Sequence, residues 1–368
     1  MSNNIGVRMH GIRLNLTCDY DLQLEKTAAL LGEHVCDPWP EPEIDVRVSW
    51  RVTTEPVRSS VFEVDHLEAF GKRMHVGTDE LVWSDTYRNK DLQLRVRNSG
   101  GRWIHDVVYH YLPSKKKLAK WPDYEEKKFF DLLRYLVHFP IAWHMRRTQG
   151  WEMIHASAVT DGERAILVAG PGGAGKTTTA IALVANAGMR LMTENLLFYD
   201  GTKVHAVREP VRLTPESLEL LGSAADHLRG YQAVGGLKKK EMFLPPADPD
   251  EPGALPAALF LGRFSEKGYV ERLSPEVAHR QLVAANLLTL ELNDFYWYSA
   301  ALDFLWPSVP MNGDDPVLRL SRDVPCYTLG IDRTAGVEPV VQRVLECLEA
   351  DSTNEAPLSA PHVHLEKR

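Results

Sequence analysis

Ala165-Ile-Leu-Val-Ala-Gly170-Pro-Gly-Gly-Ala-Gly-Lys176-Thr177-Thr178 is the stretch that decides the architecture of this chain. Gly170 to Thr177 fills every fixed position of the pattern G-x-x-x-x-G-K-[ST]. The apolar run Ala165 to Ala169 predicts a short buried strand. Thr178 to Ala187, with Ile181, Leu183 and Val184 at helical spacing, predicts a helix. A strand, a glycine-rich turn and a helix form the context in which this pattern has a mechanism. Glycines let consecutive backbone N–H groups converge on phosphate oxygens, and the helix N-terminus adds partial positive charge. Gly170, Gly172, Gly173, Ala174, Gly175, Lys176, Thr177 and Thr178 are therefore the expected phosphate cradle. Lys176 is expected to reach the β- and γ-phosphates, and the Thr177 hydroxyl to ligate Mg²⁺. The expected ligand is a nucleotide.

The chain has 368 residues, enough for a large core and more than one compact unit, so two domains are expected. Apolar residues make up 44% and charged residues 25%, an ordinary balance for a globular protein in water. A formal net charge of −8 argues against nucleic acid as the main partner, because neutralising phosphates needs a basic face. Cys18, Cys36, Cys326 and Cys347 are scattered with no CxxC pair, which fits neither a disulfide framework nor a zinc site. The opening Met1-Ser-Asn-Asn-Ile-Gly-Val-Arg lacks the basic-then-apolar build of a secretion signal, and no apolar run approaches the ~20 residues that span a bilayer. A cytoplasmic protein with no membrane partner is the expectation.

Residues 1–122 read as a β-rich α+β module. Arg13-Leu-Asn-Leu-Thr17, Ile44-Asp-Val-Arg-Val-Ser-Trp50 and Leu92-Gln-Leu-Arg-Val-Arg-Asn98 alternate apolar and polar residues, as half-buried strands do. Leu22 to His34 predicts a short helix before the proline-rich stretch from Asp37 to Pro42. Residues 123–350 read as the nucleotide-binding domain. Its first element is a helix over Tyr124–Gln149, with an apolar stripe from Phe129 to Val137 and a kink or break at Pro140. Leu191–Tyr199 and Lys203–Val207 flank the turn Asp200-Gly201 as a hairpin, with Asp200 structural. Pro245–Pro256 reads as a loop, Ala257–Gly262 as a core strand, Pro275–Leu290 as a helix, Pro325–Gly330 as a last strand and Val337–Glu349 as a closing helix. Residues 351–368 are polar and proline-containing, the composition of a disordered tail.

Chemistry beyond the loop must come from groups beside the γ-phosphate. The guanine-reading pattern N-K-x-D and a transporter-ATPase signature are both absent. Trp151-Glu-Met-Ile-His155-Ala-Ser-Ala-Val159 leads through a short turn into the loop's strand, so a hairpin would set His155 on the neighbouring strand. After the loop helix, Gly188-Met-Arg-Leu-Met-Thr193-Glu194-Asn195 predicts a strand ending in a carboxylate and an amide. Ligands of α/β sheets lie outside the carboxyl ends of the strands, which is where Glu194 and Asn195 belong. His155 is alternatively a core histidine bonded to a backbone carbonyl, and Glu194 a strand-end surface charge. Lys238-Lys239-Lys240 is either a phosphate contact or a solvated loop, and Tyr296-Trp-Tyr298 reads as core or interface.

These segments, in this order, resemble HPr kinase/phosphorylase and the HPr-kinase-like proteins, which share a fold relationship with ATP-dependent phosphoenolpyruvate carboxykinases. Ile154-His-Ala-Ser-Ala-Val159 is similar to the family's histidine strand, Gly170–Thr177 to its loop, and Gly188–Asn195 to its carboxylate strand. The likeness extends through Pro210-Val-Arg-Leu213, Lys238–Lys240, Leu255–Leu261 and Pro325–Gly330, covering residues 125–348. It implies an α/β P-loop kinase core of the HPr kinase/phosphoenolpyruvate carboxykinase type, and ATP- and Mg²⁺-dependent phosphoryl transfer to a hydroxyl of a peptide, protein or small metabolite. In this reading His155, Lys176 and Glu194 are catalytic, and Thr177, Glu194 and Asn195 hold the metal. His155 would pair with the acidic group or the γ-phosphate, while Lys239 or Arg212 would neutralise developing charge. Many members assemble, so the resemblance allows a homo-oligomer. Where the family has two adjacent aspartates, this chain has Glu194 and Asn195, and Asn195 cannot take a proton. The segment by which the family recognises HPr is not recognisable, so HPr is not the expected acceptor. A second reading is a nucleotide-binding regulatory or scaffold module without transfer chemistry. A simple ATPase is a third, weaker for lack of a second motor motif.

Overall fold

The computed structural model describes residues 3–354 apart from 58, 87–90, 121–123, 238–239, 247–250 and 309–314. It is a mixed α/β fold built on two large sheets and two small ones. The first large sheet has nine strands, running in space Val35–Cys36, Asn4–Met9, Ile12–Cys18, Ile44–Val52, Arg102–Tyr111, Leu92–Ser99, Glu80–Ser84, Met74–Val76 and Glu68–Ala69. All three strands expected here from alternation are present, with Ile12, Leu14, Leu16 and Cys18 buried along one of them. Ile12–Cys18 and Ile44–Val52 pair in parallel, which requires a crossover, and the helix Asp21–Leu31 supplies it.

Residues 124–149 lie across this sheet. Tyr124–Leu133 is α-helical, Arg134–His138 forms a π-helical turn, and Phe139–Gln149 resumes the α-helix. The break expected at Pro140 thus takes the form of one wide turn just before it, which accommodates a residue that has no N–H to donate. The aromatic packing is dense. Trp143 meets Trp103 edge-on at 4.6 Å, Trp103 meets Trp306 at 4.9 Å, and Phe129 lies 5.4 Å from Trp50. The indole N–H of Trp143 donates to Asp303 Oδ1 at 3.0 Å. One hydrophobic core therefore runs from Val7 and Leu14 through Phe130 and Trp143 to Phe295 and Leu302, across the 122/123 boundary expected from sequence.

The second large sheet carries the glycine-rich loop. Its order is Arg190–Thr193, Ala156–Thr160, Arg164–Ala169, Leu255–Phe264, Cys326–Ile331 and Tyr269–Arg272. Arg164–Ala169, Leu255–Phe264 and Cys326–Ile331 are parallel neighbours, and the other pairings are antiparallel. Both faces are covered. Ile181, Leu183, Val340 and Val344 pack on one side, and Ala278, Leu282, Val317 and Leu320 on the other. The hairpin expected from Leu191 is split. Arg190–Thr193 stays in the large sheet, the chain steps off at Glu194, and Leu197–Tyr199 pairs with Val204–Ala206 in a small sheet with Glu152–Ile154. Asp200 holds the turn between those two strands by accepting from the N–H groups of Thr202 and Lys203.

The helix expected over Pro275–Leu290 ends at Leu287, and a second helix, Leu290–Asp303, follows and buries Leu292, Phe295, Tyr298 and Leu302. Tyr298 is therefore core, whereas Trp297 is exposed. The last helix extends through Asn354, past the tail boundary expected at Asp351, and residues 355–368 lie outside the described part. Among the described residues no helix is long and apolar enough to cross a membrane.

Because Trp143 fills the joint between sheet and helices, Trp143→Ala should cost about 3–5 kcal/mol of unfolding free energy. Chemical denaturation followed by far-ultraviolet circular dichroism measures this. A loss below about 1 kcal/mol would mean the joint closes over the cavity.

Candidate functional site

Two glycines of the loop make approaches that leave no room for a side chain. Gly170 closes the strand with φ +140°, and a Cβ there would lie 2.6 Å from the Gly262 carbonyl oxygen on the adjacent strand. Gly175 has φ +84°, and its Cβ would come within 2.9 Å of Ile331 Cδ1. Gly175 is also the N-cap of the helix Lys176–Ala187 and makes no side-chain cap, so no side chain competes for the first-turn N–H groups. The first residues of this helix line a cavity of about 440 Å³ together with His155, Glu194, Asn195, Arg212, Lys240 and Glu291.

Lys176 is buried and folds back over the loop, its ammonium donating to the carbonyls of Gly170 at 3.0 Å and Pro171 at 3.2 Å. Burial lowers its pKa to about 8, with Glu194 acting in the opposite direction. Thr177 Oγ1 donates to Glu194 Oε1 at 2.8 Å. Glu194 Oε2 accepts no hydrogen bond and has Arg212 Nη2 3.6 Å away. Burial pushes the Glu194 carboxyl up, and the Arg212 guanidinium only partly offsets it. Ser157, on the strand beside the loop, donates to the Glu194 carbonyl and fixes the point where the chain leaves the sheet. Lys240 lines the cavity, while Lys238 and Lys239 lie outside the described residues.

His155 is buried with its Nε2 3.0 Å from Asn195 Oδ1, and its Nδ1 has no hydrogen-bond partner. Burial, reinforced by Lys176, lowers its pKa to about 4, so at neutral pH the ring is an uncharged imidazole. Asn195, expected as a metal ligand, is a bridge here. Its Oδ1 serves His155, and its Nδ2 donates to Glu209 Oε2 at 2.7 Å. Glu209 Oε1 in turn accepts from Arg134 Nε at 2.8 Å, and Arg134 Nη1 lies 3.1 Å from Glu291 Oε1. Burial works to raise the Glu209 pKa, but Arg134, Arg212 and His138 outweigh it and hold the carboxyl down to about 2. Phe130 has Arg134 and Arg212 over its ring at 5.0 and 5.1 Å.

The structure thus gathers His155, Lys176, Thr177, Glu194 and Asn195 at one end of the parallel strands. It adds Glu209, Arg134, Glu291 and His138, none of which the sequence singled out. The available clues were Arg134, a charge set inside the apolar stripe Phe129–Val137, and Glu209, a carboxylate directly before Pro210-Val-Arg-Leu213. No family model matches this chain, and no curated protein matches it.

The lowered Lys176 pKa has a testable sign. An ammonium with a folded pKa near 8 loses its charge as pH rises through that value. Affinity for an anionic ligand at the loop should therefore fall between about pH 7 and 9, and Lys176→Arg should flatten that dependence because guanidinium stays charged. Calorimetric titration of a nucleotide across that range reads the slope. The same slope in both proteins would assign the titration to another group.

Proposed function

We propose that this chain is an ATP- and Mg²⁺-dependent phosphotransferase with a P-loop core of the HPr-kinase-like type, acting on a hydroxyl of a peptide, protein or small metabolite. The observation that carries the reading is the convergence, on one glycine-rich helix N-terminus, of a buried lysine, a Thr177–Glu194 pair at 2.8 Å and the guanidinium of Arg212. Phosphoryl transfer asks a protein mainly for positioning and charge neutralisation, and this set supplies both.

In this reading the triphosphate replaces the carbonyls of Gly170 and Pro171 as the partner of Lys176. Thr177 Oγ1 and Glu194 Oε1 are the two oxygens that would hold Mg²⁺. The fit is chemically sound, since Mg²⁺ binds through one or two side-chain oxygens plus phosphates and water. Among the described residues there is no group of three His, Cys, Asp or Glu that could hold a metal without that help. Arg212 would bear on the charge developing at the γ-phosphate. His155 is neutral and lines the same cavity, held by Asn195 Oδ1 on its Nε2, which suits it to position the acceptor hydroxyl. Asn195 cannot act as a base, and its role is to orient His155.

A second reading is favoured by the same Asn195. An amide locked between His155 and Glu209 is also what a nucleotide-binding module without transfer chemistry would retain. Incubation with γ-labelled ATP, Mg²⁺ and a panel of hydroxyl acceptors separates the two. For the phosphotransferase, label moves to an acceptor, Lys176→Ala and Glu194→Gln each lower transfer by about 100-fold or more, and His155→Ala lowers turnover with the fold intact. Tight ATP binding with neither transfer nor acceptor-stimulated hydrolysis leaves the regulatory module.

A further inference from the structure

Transfer to a hydroxyl needs a group that receives the hydroxyl's proton, and the cavity at the loop offers few candidates. Asn195 cannot take a proton. His155 is committed through Nε2 to Asn195 and stands beside Lys176, which opposes a second positive charge there. Glu194 has Oε1 on Thr177 and Oε2 near Arg212, and in the proposed reading it holds magnesium. Glu209 has one oxygen on Arg134 and the other on Asn195. Among the described residues the remaining carboxylate that lines the cavity is Glu291.

Glu291 arrives from a part of the chain remote from the loop. It lies in the first turn of the helix Leu290–Asp303, where the helix dipole favours an anion. Thr289, the N-cap, donates from Oγ1 to the Asn286 carbonyl at 2.8 Å, and Asn286 Oδ1 accepts the backbone N–H of His155 at 3.2 Å. The turn that carries Glu291 is therefore tied to the chain at His155. Arg134 Nη1 holds Glu291 Oε1 at 3.1 Å, while the side chain keeps 20% of its surface open to water. Leu288 and Leu290, which also line the cavity, are 72% and 69% exposed, so this wall lies open to an incoming molecule. Burial works to raise the Glu291 pKa, but Arg134 and Arg212 outweigh it and leave the carboxyl below its ordinary value, ionised at neutral pH.

We propose that Glu291 is the proton acceptor of the transfer, in place of the strand-end carboxylate that Asn195 does not supply, a role that rests on the phosphotransferase reading. The acceptor oxygen bonds to the γ-phosphorus as the bond from that phosphorus to the β,γ-bridging oxygen breaks, and the electron pair of the broken bond leaves with ADP. The hydroxyl proton passes to the Glu291 carboxylate and from its exposed edge to water. A carboxylate held in this state is a weak base, but phosphoryl transfer through a loose transition state asks more for an oriented nucleophile than for basicity.

The test measures label transfer from γ-labelled ATP to serine- and threonine-containing peptides and to glycerol, with MgATP affinity read in parallel by calorimetry. Glu291→Gln keeps an oxygen for Arg134 but cannot take the proton. It should lower kcat about 100-fold while MgATP affinity stays within about twofold. Formate should restore part of the turnover of Glu291→Ala and none of that of Lys176→Ala. A Gln variant with turnover within about threefold of wild type, or one whose turnover and nucleotide affinity fall together, overturns the role while the phosphotransferase reading stands. So does an Ala variant that is folded by circular dichroism yet gains nothing from formate, and should that variant not fold, the Gln variant decides. Wild-type protein that binds MgATP and labels no acceptor removes the phosphotransferase reading and this role with it.

Discussion

Glu209 is the charge on which the rest of the site depends. A carboxylate removed from water is tolerated only where partners replace its hydration, and this one has Arg134 on one oxygen and the amide of Asn195 on the other. Arg134 comes from the helical stretch packed on the nine-stranded sheet, and Asn195 from the point where the chain leaves the six-stranded one. One ion pair therefore couples the packing of the first half of the chain to the orientation of His155 in the second. Removing either partner would leave the other a buried charge with only its second contact, Asn195 for Glu209 or Glu291 for Arg134, a larger penalty than the net value of the pair.

Neighbouring residues show how the charge pattern is partitioned. Glu209 is held well below the usual carboxylate range by cations close to it, while Glu194, with Arg212 as its only nearby ion-pair partner among the described residues, is pushed upward by burial. One carboxylate is fixed as a structural anion, and the other is left high in energy next to a threonine hydroxyl and a lysine. A group in that condition gains most from a cation or proton arriving in the cavity. Of the two adjacent residues, Glu194 bonds the loop through Thr177, and Asn195 bridges His155 and Glu209.

What could be read from sequence was what is local. Gly170 to Thr177 announced its turn because its fixed glycines answer backbone requirements, and the close approaches at Gly170 and Gly175 are those requirements in space. The strands around Leu14, Val46 and Leu94 were legible because burial on one face imposes a period of two. The network around Glu209 was not, since Arg134 and Glu209 lie far apart in sequence and nothing local links an arginine in an apolar stripe to a carboxylate before a proline. The helix Leu290–Asp303 escaped notice for another reason. Leu290 and Trp297 are apolar yet exposed, so its apolar residues do not form the single stripe that reveals a surface helix. Chain-long pairing and blurred amphipathicity are the two places where sequence patterns stop short of structure.

The unbroken core that links Trp103, Trp143 and Trp306 bears on how such a protein can change over evolutionary time. The half that carries the glycine-rich loop cannot be borrowed as a free-standing cassette, because cutting near residue 122 would strip the cover from Phe129, Phe130 and Trp143. Insertions and recombination are better tolerated at loops that bury nothing than at that seam. Descent should therefore have preserved both halves together, with novelty entering through the rim of the cavity.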